Sequence, residues 1–130
     1  MSANGEAKLG QGNVEVTLGV HSFTMKPTIH AMGMLSMKYG GLQDVMEKIA
    51  RTDVNCTADV LAAGIGGNRF NGPKGRQELL QLMYDSGLTD DTGGVCAQAQ
   101  LFVLMLMRGG RPLPNMGEIE DPTQVAPKNA

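Results

Sequence analysis

The sequence predicts a mainly α member of the α+β class: an N-terminal β-hairpin followed by a bundle of about five helices. Three observations lead there. Two short runs between Asn13 and Lys26 alternate apolar and polar residues with the period of a strand. Five later segments repeat apolar residues at helical spacing and mostly end at glycine. The chain has 130 residues, 42% of them hydrophobic, which suffices for one domain with a modest core. The expected organisation is a flexible arm over 1–12, a single domain over 13–108, and a disordered proline-rich tail over 109–130.

The hairpin comes first. Val14, Val16 and Leu18 alternate with Glu15 and Thr17, then His21, Phe23 and Met25 alternate with Ser22 and Thr24. Gly19-Val20 suits a two-residue turn with glycine in first position. On this reading His21 is a partly buried structural residue. A lone hairpin is marginal in water, so its apolar face must lie on helices or extend a sheet in a neighbouring subunit. Pro27 then stops the strand, and Thr28 is placed to cap a helix through Ile29, Met32, Leu35 and Tyr39 to the Gly40-Gly41 break. This helix carries apolar residues all round, with Ala31, Met34 and Met37 off the main face. Leu42 to Arg51 reads as an ordinary amphipathic surface helix, with Leu42, Val45, Met46 and Ile49 on one side. A short helix from about Asn55 to Ala63 follows and ends at Gly64-Ile65-Gly66-Gly67.

Asn68 to Gly75 is a glycine-rich connection beside Arg69, Lys74 and Arg76, and it invites a phosphate-binding reading that fails on residue identity. Gly67 and Gly72 have P-loop separation, but Pro73 stands where lysine is needed and no serine or threonine follows Lys74. The segment also follows a helix, not a strand. Pro73 to Ser86 forms the next helix, with Gly87 ending it. The last helix, from Asp90 to Arg108, has Thr89 as cap, two aspartates in its first turn and Gly109-Gly110 at its end. From Leu101 to Met107 it is apolar on every face. In water that means burial on more than one side, within the domain or against another chain. Beyond Arg108 lie four of the six prolines, Pro112, Pro114, Pro122 and Pro127.

Composition narrows function by exclusion. A net charge of -2 supplies no positive field for nucleic acid. The apolar run is too short to span a bilayer, which needs about 20 residues. No leader is expected before the domain, and Cys56 and Cys96 lack CxxC spacing, so reduced thiols in a cytoplasm are expected. His21 and His30 belong to no metal motif, neither cysteine has a nucleophile context, and no carboxylate pair stands on a common wall. An enzyme is therefore not expected, nor is a cofactor or a metal. Ten methionines and no tryptophan fit either a soft core or a surface that adapts to partners.

The order of parts resembles a known family. Val14-Glu15-Val16-Thr17-Leu18-Gly19, a second strand ending in Lys26-Pro27-Thr28, helices, then Asp59-Val60-Leu61-Ala62-Ala63-Gly64-Ile65-Gly66-Gly67 and two more helices look like the small tail proteins of gene transfer agents and siphophages, which serve as or are related to phage tail assembly chaperones. The resemblance covers Asn13 to Met107. The methionine-rich helix and the long tail depart from the family pattern. The resemblance implies non-enzymatic work in the host cell cytoplasm during virion assembly: binding the tape measure protein and recruiting tail tube protein, with homo-oligomers possible. The alternatives are a structural tail component, such as a tube or completion protein, and a small helical ligand-binding or regulatory protein. With two helices apolar on nearly all sides, Leu101, Phe102, Leu104, Met105, Met32 and Leu35 are the expected partner-binding residues.

Overall fold

A computed structural model describes residues 12–89 and 94–111. Its order is β1 (Val14–Leu18), β2 (His21–Met25), α1 (Ile29–Tyr39), α2 (Leu42–Ala50), α3 (Val54–Ile65), α4 (Gly72–Ser86) and α5 (Gly94–Met107). This is the predicted hairpin followed by five helices. Residues 1–11 of the expected 1–12 arm, the start expected for the last helix at 90–93, and residues 112–130 of the expected 109–130 tail lie outside the described residues.

The hairpin forms in the expected register, with Val16 opposite Phe23 and Leu18 opposite His21. Gly19 takes φ 66, as a glycine-first two-residue turn requires. Val14, Val16 and Leu18 are all buried, whereas burial on β2 falls steadily from Met25 toward the turn. His21 is consequently exposed, a correction to the sequence reading. β1 packs on α4 and α5 along its length, while β2 is covered chiefly by α3. Phe23 gains cover from Phe70, whose ring meets it edge-on at 5.6 Å.

The outer edge of β1 is closed by side chains. Thr17 N–H donates to Gln98 Oε1 on α5 at 3.0 Å, and Gly19 N–H donates to the Ser86 hydroxyl. At the far end of β2, Lys26 N–H donates to the carbonyl of Gly64 on α3 at 3.0 Å. A Cβ at Gly64 would stand 2.9 Å from that of Met25, so only glycine lets strand and helix approach this closely.

Capping explains where the helices begin and end. The Thr28 hydroxyl accepts from Ala31 N–H at 3.0 Å, and Gly40 ends α1 in the left-handed region. At the end of α5, Gly110 N–H donates to Met105 C=O and Gly109 N–H to Leu106 C=O. That pair is a Schellman motif, with Gly109 at the position needing positive φ. Helix α2 closes in the same way on Thr52, which holds φ 61 although it is β-branched. The Asp53 carboxylate accepts from Cys56 N–H at 2.9 Å and so starts α3 at once.

Helix α5 is the centre of the core. It packs against β1, α2, α3 and α4, and Val95, Cys96, Ala99, Phe102, Val103, Met105 and Leu106 are buried along it. Helix α1 lies outside, on α2 and α3, and buries only Ala31 and Leu35.

Candidate functional site

Three features could carry function: the polar cluster under α1, the hollows between elements, and the apolar faces left in solvent. In the first, Asp59 on α3 is 7% exposed and takes three donors. Lys38 Nζ lies 2.8 Å from its Oδ2, the Tyr39 hydroxyl donates to the same oxygen, and the Arg76 guanidinium donates to Oδ1. Burial works to raise this carboxyl, but the hydrogen bonds from Lys38, Tyr39 and Arg76 outweigh it and hold Asp59 below the usual range. Burial and the bond into Asp59 push the Tyr39 hydroxyl far above the usual phenol range, and burial likewise raises the Cys56 thiol. A carboxylate neutralised by two cations and a phenol locked in its protonated form are poor acid–base groups. The cluster joins α1, α3 and α4. Its chemistry is that of a latch.

The sequence reading missed this cluster, because its members come from three helices. One signal was present: Asp59 is the lone charge in the run from Cys56 to Ala63. Arg69, singled out as a phosphate ligand candidate, instead pairs in two-pronged fashion with Glu78 at 3.0 Å and lies 4.4 Å from the Phe70 ring centre. Among the described residues no three His, Cys, Asp or Glu side chains converge as metal ligands would.

A hollow of about 570 Å³ lies between β1 and α5 and is lined by Thr17, Ser86, Gln98 and Leu101 among others. A second, about 290 Å³, lies between α1 and the α3–α4 connection beside His30 and Met34. A third, about 170 Å³, is an apolar groove where the start of α1 meets the end of α5, lined by Ile29, Met32 and Leu106.

No family model matches the chain. No curated protein and no solved structure matches it either. What the site can do therefore rests on its own surface.

That surface is apolar and belongs mainly to α1. Ile29 is 83% exposed and Met37 86%, with Met32 and Met34 also exposed beside them. On α5 the strip Ala97, Leu101, Leu104, Met107 turns outward, Leu101 and Leu104 half-buried and Met107 exposed. Of the six expected partner-binding residues, Met32, Leu101 and Leu104 therefore retain accessible surface. Phe102, Met105 and Leu35 do not: each is fully buried. These three depart from the expectation because neighbours on four elements surround α5 and Leu35 faces the interior from α1. The described methionines divide in a similar way, with Met25, Met83 and Met105 in the core, Met46 half-buried, and Met32, Met34, Met37 and Met107 outside. Among the described residues, no helix is long and apolar enough to cross a membrane.

Proposed function

We propose that the protein is a non-enzymatic tail assembly chaperone of a long-tailed phage or gene transfer agent. It works in the host cytoplasm, binds the tape measure protein and recruits tail tube subunits. The observation that carries this reading is the exposed Met32 flank of α1, continuous through its groove with Leu106 and the end of α5, where Met107 is also exposed. A tape measure is a long helix with apolar surface. Flexible, polarizable methionines can fit many stretches of such a helix through repeated weak contacts. The resemblance in order of elements supports the same reading. Against the tube-subunit alternative, the described residues hold one two-stranded sheet, and a tube ring needs a large one to close.

The test is co-expression with the tape measure protein of the same genome. The tape measure is expected to stay soluble and to co-purify with this chain. Met32→Asp and Leu104→Asp should each abolish co-purification while leaving the circular dichroism spectrum unchanged. A tape measure equally soluble without the chain, or binding unaffected by both substitutions, would sink the reading.

A further inference from the structure

The crest of α1 carries a second message, independent of any tape measure. Ile29, Gly33 and Met37 follow one another at four-residue spacing and lie on the side of α1 opposite Ala31 and Leu35. Ile29 and Met37 are the two most exposed apolar residues of the helix. Between them, a Cβ added at Gly33 would meet nothing within 4 Å. Glycine inside a helix weakens it relative to alanine, and here the chain's own packing makes no use of the missing side chain. Where a mid-helix glycine lies open between two large apolar residues, it offers a hole for close approach of another helix.

We infer that this crest is the two-fold interface with a second copy of the chain, two α1 helices crossing antiparallel at Gly33. The pattern is self-complementary about that residue. A two-fold axis there sets Ile29 against the partner subunit's Met37 and Met37 against the partner subunit's Ile29, as an isologous contact demands. Charge agrees with this choice. Lys26 stands exposed just before α1, and at the other end the Asp44 carboxylate lies beside Gly40, its Oδ2 3.3 Å from where a Cβ on Gly40 would be. Neither has an ion-pair partner among the described residues. The axis brings the start of each α1 to the Gly40 end of the other copy's α1, so each positive end meets the other copy's negative end. The crest itself carries no acidic residue, and the helix dipoles oppose favourably.

Sedimentation of the full chain over a concentration series tests this. The mass should rise from 13.8 kDa toward twice that value. Gly33→Arg, whose side chain enters open space, should keep an unchanged circular dichroism spectrum yet stay at single-chain mass at ten-fold higher concentration. Lys26→Glu should weaken the dimer several-fold, and adding Asp44→Lys should restore it. Under oxidation, the double variant Ile29→Cys/Met37→Cys should cross-link two chains. Met37→Cys alone should not, because in the antiparallel pair the two copies of that position are about 12 Å apart along the axis, beyond disulfide reach. A wild-type chain of single-chain mass at millimolar concentration overturns the inference. So does a Gly33→Arg variant that dimerises like wild type, a charge reversal that is not restored, or equal cross-linking by Met37→Cys alone. A foreign helix occupying the crest would show as a mixed complex without homodimer, and it too overturns the inference.

Discussion

Helices α1 and α5 begin from the same kind of sequence, apolar on nearly every side, and meet opposite fates. Helix α5 is enclosed by β1, α2, α3 and α4, and seven of its residues are buried. Helix α1 rests on two neighbours and buries two. Apolar character around a helix states that its faces need cover, but not who supplies it. A small domain can enclose one such helix at its centre; the second is left with an apolar face in solvent.

The sharpest way to break this contrast is a buried charge. Phe102→Asp should unfold the domain, since an unpaired carboxylate in the core costs several kcal/mol, and even Phe102→Ala should cost about 3–5 kcal/mol. At high dilution Met37→Asp should leave stability within about 0.5 kcal/mol, because in the single chain that side chain sits in water. Urea titrations of both variants check the pair. Equal losses would mean that α1 is as enclosed as α5.

The next effect concerns what holds α1 to the domain at all. Asp59→Asn should cost about 2 kcal/mol, as charged hydrogen bonds to Lys38, Tyr39 and Arg76 are lost. The cluster also sets the pH window. Asp59 is held below its unfolded value, so its contribution is present above about pH 4 and is lost as pH falls through the folded value. Tyr39 is raised, so its contribution is full below about pH 10 and is lost as the unfolded chain gives up the phenol proton above that. Cys56 adds to the alkaline loss in the same sense. Thermal melts should show Tyr39→Phe flattening the alkaline decline; an unchanged slope would place its origin elsewhere.

Smaller effects lie on α1 itself. Thr28→Ala removes the cap on Ala31 N–H and should cost about 1 kcal/mol by urea titration. Gly33→Ala should do the reverse at high dilution, raising stability by up to about 1 kcal/mol, because the added methyl meets no neighbour. A loss there would show that the crest is covered within a single chain.

The features legible in the sequence were local ones. Gly19 signalled the turn, Thr28 and Gly40 bounded α1, and Gly109 ended α5, each through the backbone conformation or side-chain acceptor its position needs. Helix limits moved by a residue or two, as at α3, where the cap is Asp53 and the helix extends to Ile65. The P-loop comparison likewise failed on local grounds. Long-range facts were hidden. Asp59 finds Lys38 and Tyr39 across 20 or so residues of chain and Arg76 on yet another helix, and spacing alone does not encode such meetings. The division of the expected docking residues, Met32 outside and Phe102 inside, was hidden for the same reason: it depends on which elements become neighbours.

The junction between α2 and α3 has a consequence for how the domain breathes. Thr52 holds a left-handed turn that β-branched residues resist, and Asp53 closes one helix with its N–H to Lys48 C=O while opening the next with its carboxylate. No slack residue separates the two roles. Fraying the end of α2 withdraws the cap of α3, and fraying the start of α3 frees the turn that ends α2. The two helices therefore open as one cooperative unit, and the amides on either side of Asp53 should exchange with solvent hydrogen at a common rate of opening.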